Sequence, residues 1–334
     1  MDRLDTTTRA LVVTAAQAPR RRHELRAAGL EDHDLRRLVR RGHLHHVNRY
    51  YLDGTTDPEW ARLACLQAAY PGSVLSHLSA ARLANLRYWV EAQRPDAPPA
   101  NAVWLTRRPT ATRNHYRPDV VLRRAGLVKG DLDQRGILRR TTDARTVVDL
   151  ARELPVQEAL VTVDHALRLG TSMADLDAVL TRQRRWPGIQ RARRTIALGD
   201  PRAESALESI ARAVFDSAKL PRPILQARFG DGIDWMPERV DFWWPQFRTI
   251  AEADGLAKYE AETAPERRAL LRRAHLRDQR LADLGVELLH FGWEDLVNEP
   301  HHLVHRLKAA FTRGQNRPDP QPHWTTAPPP VPRP

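Results

Sequence analysis

The chain has 334 residues, 42% of them hydrophobic, and 53 basic against 41 acidic residues give it a formal net charge of +12. That length leaves room for two or three domains with ample core. No apolar run approaches the ~20 residues of a bilayer span, and the Met1-Asp-Arg start followed by Thr6-Thr-Thr lacks a signal-peptide core, so the expectation is a cytoplasmic protein without a membrane segment. The single cysteine, Cys65, excludes internal disulfides and cysteine-based zinc fingers, while the charge calls for a polyanionic partner, nucleic acid first.

Residues 1–56 read as a small helical unit ending in a hairpin. Thr6 or Thr7 caps a first helix through Ala18, Arg22 opens a second that stops at Gly29, and Asp32 N-caps a third that ends at Gly42. Leu35, Leu38 and Val39 form the inward stripe of the third helix, which turns Arg36, Arg37, Arg40 and Arg41 outward. Leu44 to Leu52 follows as a β-hairpin with Asn48-Arg49 at its tip. Two helices, a tight turn, an arginine-studded helix and a wing make a winged helix-turn-helix, with Arg49 as a further contact to double-stranded DNA.

Residues 57–195 read as mainly helical and chemically quiet, interrupted by two strands at Ala102-Val-Trp-Leu-Thr and Val120-Val-Leu-Arg-Arg. Asp149, Asp164 and His165 fall on helices there, where capping or surface roles are expected. Arg182 to Arg194 is a basic connector around Trp186-Pro187-Gly188, suited equally to tracking a phosphate backbone or to serving as a charged link.

Residues 196–313 carry the chemistry. Their order is helix, strand, strand, strand, helix, strand, beginning with Ala203 to Phe215 and ending on Val286 to Phe291. Two stretches, Arg239-Val-Asp-Phe-Trp-Trp and Thr249-Ile-Ala-Glu-Ala-Asp-Gly, pair about the Pro245-Gln-Phe-Arg turn so that Asp241 falls opposite Glu252. Asp254 shares the face of Glu252. Three like charges on one face need a cation, a bound proton or a basic neighbour, and hard oxygen ligands suit Mg²⁺ or Mn²⁺. The bland alternative is three solvated acids at strand ends. Residues 314–334, rich in proline, read as a disordered tail.

Two resemblances add to this reading. Asp34-Leu-Arg-Arg-Leu-Val-Arg-Arg-Gly-His-Leu and the wing ending in Tyr50-Tyr-Leu resemble the winged-helix domain of abortive-infection type IV antitoxins, with the middle region similar to the rest of that architecture. Glu204-Ser-Ala-Leu-Glu-Ser, Val240-Asp-Phe, Glu252-Ala-Asp-Gly, Arg277-Asp-Gln-Arg-Leu and Leu284-Gly-Val-Glu-Leu-Leu resemble the PD-(D/E)XK nuclease superfamily, in the branch similar to very-short-patch-repair endonucleases. The resemblance implies a restriction-endonuclease-like α-β-β-β-α-β domain within an α+β multidomain chain. It also implies Asp241 and Glu252 as paired Mg²⁺ ligands, with Glu208, or Glu204 one helical turn away, as a further one. Where that pattern places lysine this chain has Asp254, which leaves Lys258 to reach back to the site. Arg277 and Arg280 would hold the DNA backbone. The expected activity is metal-dependent phosphodiester hydrolysis; the alternative is a non-catalytic, antitoxin-like regulator that meets a cognate toxin or other protein partner. A nucleotidyltransferase is disfavoured because the single Gly-Ser pair, Gly72-Ser73, has no Asp-x-Asp close behind it, the next being Asp131-Leu-Asp133.

Overall fold

The computed structural model describes residues 16–110, 118–230, 234–237, 239–255, 264–318 and 321–326, without the side chains of Ala264, Arg267 and Leu271. The chain is mixed α/β and divides into two compact units, 1–86 with 90–150, and 87–89 with 151–334. This division does not coincide with the boundaries read from the sequence at 56 and 195. The helices after residue 150 pack with the carboxylate-bearing sheet, because Val161 shares a core with Leu207, Phe242 and Trp244.

Among the described residues the first unit begins with β1 (Arg20–Arg21), α1 (Arg22–Ala27), α2 (Asp32–Arg40), β2 (Leu44–Val47) and β3 (Tyr50–Asp53), the strands ordered β1-β3-β2. Leu25, Leu30, Leu35, Leu38 and Leu44 close a small core beneath the two helices. Glu31, not Asp32, is the N-cap of α2: its amide is bonded by Asp34 at 3.1 Å, while Asp32 turns to Arg22, whose Nε donates at 2.7 Å. The helix expected up to Ala18 begins outside the described residues, and residues 16–19 are not helical. Asn48, at φ +60°, forms with Arg49 the two-residue turn closing the Val47–Tyr50 pair, a left-handed position that asparagine tolerates.

The rest of this unit corrects the mainly helical expectation. After α3 (Pro58–Ala69), capped by Asp57, come β4 (Val74–Leu75), α4 (His77–Leu83), β5 (Val103–Arg107), β6 (Val120–Arg124), β7 (Leu132–Arg135) and β8 (Leu138–Thr141). They build a five-stranded mixed sheet of order β6-β5-β4-β8-β7. Three of its strands escape sequence reading because β4 is two residues long, β7 is exposed at every position and β8 buries only its two ends. Along α5 (Asp143–Glu153), the fully buried Arg145 donates to Asp149 at 2.7 Å and to Asp131 at 2.9 Å. Asp149 is thus a buried ion-pair partner and not a surface acid.

The second unit continues through α6 (Val156–Arg168), α7 (Met173–Arg182), α8 (Ile189–Ala197) and α9 (Ala206–Ser217). Of the capping or surface roles expected, Asp164 on α6 has no surface one: it is buried, paired with Arg212 at 2.6 Å and accepting the Asp200 amide at 2.8 Å. His165 accepts the amide of Arg87 at 3.0 Å. Next come β9 (Ile224–Gly230), β10 (Val240–Trp244), β11 (Thr249–Ala253), α10 (Ala264–Asp283), β12 (Glu287–Phe291), α11 (Trp293–Val297), α12 (Pro300–Gln315) and β13 (His323–Thr325). The sheet order is β12-β11-β10-β9-β13, with only β11 and β12 parallel. Leu207, Ile210, Phe215, Phe242, Trp244, Phe291 and Leu307 make one core; Phe229, Trp243, Ile250, Leu281 and Val286 make another. Successive tryptophans of β10 thus fall in different cores, as the period of a doubly covered strand requires.

The proline-rich tail is corrected in part. His323–Thr325 adds a strand to β9, with Trp324 opposite Phe229, because His-Trp-Thr offers β-forming, packable side chains between the prolines. Residues 319–320 and 327–334 lie outside the described residues. No helix among the described residues is long and apolar enough to cross a membrane.

Candidate active site

Phe242 pairs with Ala251, Trp243 with Ile250 and Trp244 with Thr249, and the same register sets Asp241 across from Glu252. A turn of 3₁₀ helix over Pro245–Phe247 and a left-handed Arg248 at φ +43° make the reversal. Asp241 is locked to the neighbouring strand by its Oδ2, which accepts the Ala253 amide at 2.8 Å. Glu252 is 1% exposed, and its Oε1 receives the Arg277 guanidinium of α10 at 2.7 Å. Arg277 also donates to the carbonyl of Arg239 at 2.9 Å, so it ties α10 to the start of β10.

Glu208 completes this group from the first turn of α9, where Ser205 caps the helix by accepting the Glu208 amide. Its Oε2 accepts the Glu204 amide at 2.9 Å and the Gln226 side chain at 3.1 Å. Between the two glutamates the sequence left open, Glu208 is buried near Asp241, whereas Glu204 turns to Arg239 at 3.0 Å and Arg168 at 3.5 Å. Burial, followed by the charge of Asp241, pushes the Glu208 carboxyl above the usual range.

Gln226 and His290 belong to the site and were missed as functional candidates in the sequence. Gln226 holds φ +58° inside β9, at 7% exposure, on the strand next to Asp241. A positive φ in a buried, non-glycine strand residue is strained and is kept only where its surroundings over-determine it. His290 on β12 is the register partner of Glu252. Its Nδ1 donates to Asp254 at 3.0 Å, and its Nε2 lies 3.2 Å from Asp278. The bond to Asp254 raises the His290 pKa against the opposing effect of burial, with further support from Asp278 and Glu252. Burial likewise opposes the charge of Arg277, but Glu252, Asp241 and Asp278 outweigh it and hold the guanidinium charged.

Glu252 and Asp278 act on both bases, Arg277 and His290, while Asp254 acts on His290, Asp241 on Arg277, and Glu208 meets this group through Asp241. Basic neighbours supply one remedy for like-charge crowding, Arg277 at Glu252 and His290 at Asp254. Among the described residues no group of three or more His, Cys, Asp or Glu side chains stands in metal-holding geometry. The hard oxygens of Glu208, Asp241 and Glu252 nonetheless suit Mg²⁺ or Mn²⁺ by type, and burial together with the charge of Asp241 disfavours a second negative charge on Glu208. Lys258 lies outside the described residues. Arg280 is exposed on α10, as are Arg36, Arg37, Arg40, Arg41 and Arg49 in the first unit, with Arg37 bonded to Asp34 at 3.0 Å.

Because its folded pKa is raised, Glu208 favours the folded state most below the ordinary glutamate pKa of about 4.5, and that contribution is lost as pH rises through the folded value. Glu208→Gln keeps an acceptor for the Glu204 amide and removes the charge. Thermal denaturation is expected to find this variant more stable than wild type by on the order of 1 kcal/mol at pH 8, with the difference gone near pH 4. An unchanged difference at both pH values would rule the charge out as its cause.

These features define a mixed α/β protein of more than one unit, with a carboxylate-rich centre built on four adjacent strands and two helices of its second unit. No family model matches the chain. It is similar to two proteins of Mycobacterium tuberculosis, uncharacterized protein Rv2248 of strain ATCC 25618 / H37Rv and uncharacterized protein MT2308 of strain CDC 1551 / Oshkosh, each 34% identical over 177 residues. The matched stretch is 52% of this chain and 62% of either relative, so the chain spans less than two thirds of their length.

Proposed function

We propose that this protein binds duplex DNA and hydrolyses phosphodiester bonds with a divalent metal at Glu208, Asp241 and Glu252. The reading rests on Glu208, Asp241 and Glu252 being carried by the neighbouring elements α9, β10 and β11, two of them buried, with Asp241 opposite Glu252 in register and near enough to raise the cost of charge on Glu208. A bound Mg²⁺ would supply an acidified water and offset charge on the scissile phosphate. Asp241 and Glu252 would fix ligand oxygens on the rigid strands, with Gln226 orienting Glu208 through its 3.1 Å bond. Arg277, released from Glu252, would meet the phosphate backbone from α10, where the exposed Arg280 extends the basic surface. Asp254 would keep His290 protonated and directed along the strand edge. The winged-helix reading of α1, α2 and the β2–β3 hairpin rests on their order and on the outward arginines of α2 and the hairpin tip. Phage defence, DNA repair or mobile-element control would suit such a protein.

A supercoiled-plasmid nicking assay with Mg²⁺ and Mn²⁺ tests it, comparing wild type with Asp241→Ala and Glu252→Ala. Equal cleavage by all three proteins would sink the assignment.

One observation favours a second reading. Glu252 is paired with Arg277 and Asp254 with His290, so two of the acids already have basic partners within the protein. On that reading the second unit is a scaffold, and the protein is an antitoxin-like regulator of its own promoter with a cognate toxin or other protein partner. It predicts DNA binding lost on replacing Arg36 and Arg40, with no affinity for Mn²⁺.

A further inference from the structure

The basic stretch after α7 acquires a definite form in the second unit. Between Asp177 and Asp200 the sequence has no acidic residue, and residues 182–194 contain six arginines, Arg182, Arg184, Arg185, Arg191, Arg193 and Arg194, all exposed. They do not sit on a loose link. Ile189, Ala192, Thr195 and Ile196 bury the inner face of α8, which leaves Arg193 and Arg194 on the outer one.

The corner leading into α8 is clamped. The Arg152 guanidinium lies 5.0 Å from the centre of the Trp186 ring and donates to the Pro187 carbonyl at 2.9 Å. The Arg152 carbonyl in turn accepts from Arg191, and Gly188, at φ +77°, approaches that carbonyl too closely for any Cβ. Arg152 and Arg191 are thus structural, and Arg194 is neutralised by Asp216 at 2.6 Å.

Arg184, Arg185 and Arg193 remain exposed, without an acidic partner among the described residues. Three exposed guanidinium groups without acidic partners, carried on a clamped corner and the helix it leads into, favour a polyanion over neutral solvent. Arginine, planar and always charged, suits phosphate oxygens in particular.

We infer that the α7–α8 corner is a second, sequence-independent docking surface for the phosphate backbone of nucleic acid, carried by Arg184, Arg185 and Arg193. The inference deepens the DNA-binding reading above and rests on it. An extended row of phosphates matches several separated cations without requiring base contacts. The corner belongs to the same unit as the carboxylate centre, so a DNA-binding surface here needs no contribution from α2 or the hairpin.

The test uses the full chain with Arg184→Gln, Arg185→Gln and Arg193→Gln together, and duplex DNA titrated across a range of salt. Counterion release assigns about 0.9 of slope in log K against log salt to each phosphate contact. The triple variant should therefore lose about 2–3 units of slope and bind at least about tenfold more weakly near 0.1 M salt, with an unchanged thermal midpoint. Arg193→Gln alone should lose about one unit of slope, which gives a readout free of any folding defect in the triple variant. Wild-type binding that weakens on Arg36→Gln with Arg40→Gln but not on the corner substitutions overturns this inference and leaves DNA binding standing. Wild type with no affinity for duplex DNA overturns both.

Discussion

Asp241→Asn is expected to abolish Mg²⁺-dependent nicking, by at least about 100-fold, while leaving the fold intact. The two effects separate because of what Asp241 does in the sheet. Its Oδ2 accepts the Ala253 amide across the β10–β11 pair, a bond that an asparagine oxygen can also accept. The substitution also removes the charge that, after burial, elevates Glu208. Stability should therefore be kept or slightly raised. Catalysis should not survive, because a neutral amide neither anchors a divalent cation beside Glu208 nor offsets charge developing at a phosphate, and loss of one such electrostatic element costs about 10²–10³ in rate. Plasmid nicking under single-turnover conditions and Mn²⁺ titration give the two readouts. Full cleavage by Asp241→Asn would exclude this carboxylate from the reaction, and a collapse of the thermal midpoint would make its role structural.

The Asp241–Glu252 pairing is legible in the sequence because it depends on local symmetry. The pair is placed evenly about Gln246 and Phe247, and a four-residue reversal leaves little freedom of register. Glu208 is legible only as one of two candidates, since Glu204 lies a helical turn earlier and nothing local says which one faces β10. Gln226 and His290 are illegible for a different reason. His290 reaches Glu252 only through the parallel pairing of β11 with β12, which requires the strand order of the whole sheet. The strain at Gln226 is a backbone property with no glycine or asparagine to announce it.

The same distinction explains the errors in the fold. α2 and the hairpin after it carry caps, a glycine stop and an amphipathic stripe within about twenty residues, so their order can be read directly. The sheet of the first unit is assembled from β4, β7 and β8, strands too short or too polar to show a period. Arg145 with Asp131 and Asp149 looks like ordinary surface charge until the fold buries all three.

Arg277→Met is expected to destabilise the second unit by about 3–5 kcal/mol, since it strands the Glu252 carboxylate at 1% exposure without the guanidinium that lies 2.7 Å from it. The lost bond to the Arg239 carbonyl adds to this cost. Urea denaturation measures it, and Glu252→Gln in the same chain should recover most of the loss, because removing both charges leaves no buried carboxylate to solvate. The consequence for metal binding has the opposite sign. Arg277 competes with any cation for Glu252, so Arg277→Met should bind Mn²⁺ more tightly than wild type even though it folds less stably. A divalent ion held by the folded state alone at 100 times its Kd contributes about 2.7 kcal/mol, enough to restore much of the deficit. Glu252→Gln should erase this rescue. A deficit that Mn²⁺ leaves untouched would mean that Arg277 neutralises the carboxylates permanently, and the regulator reading would then stand in place of the nuclease.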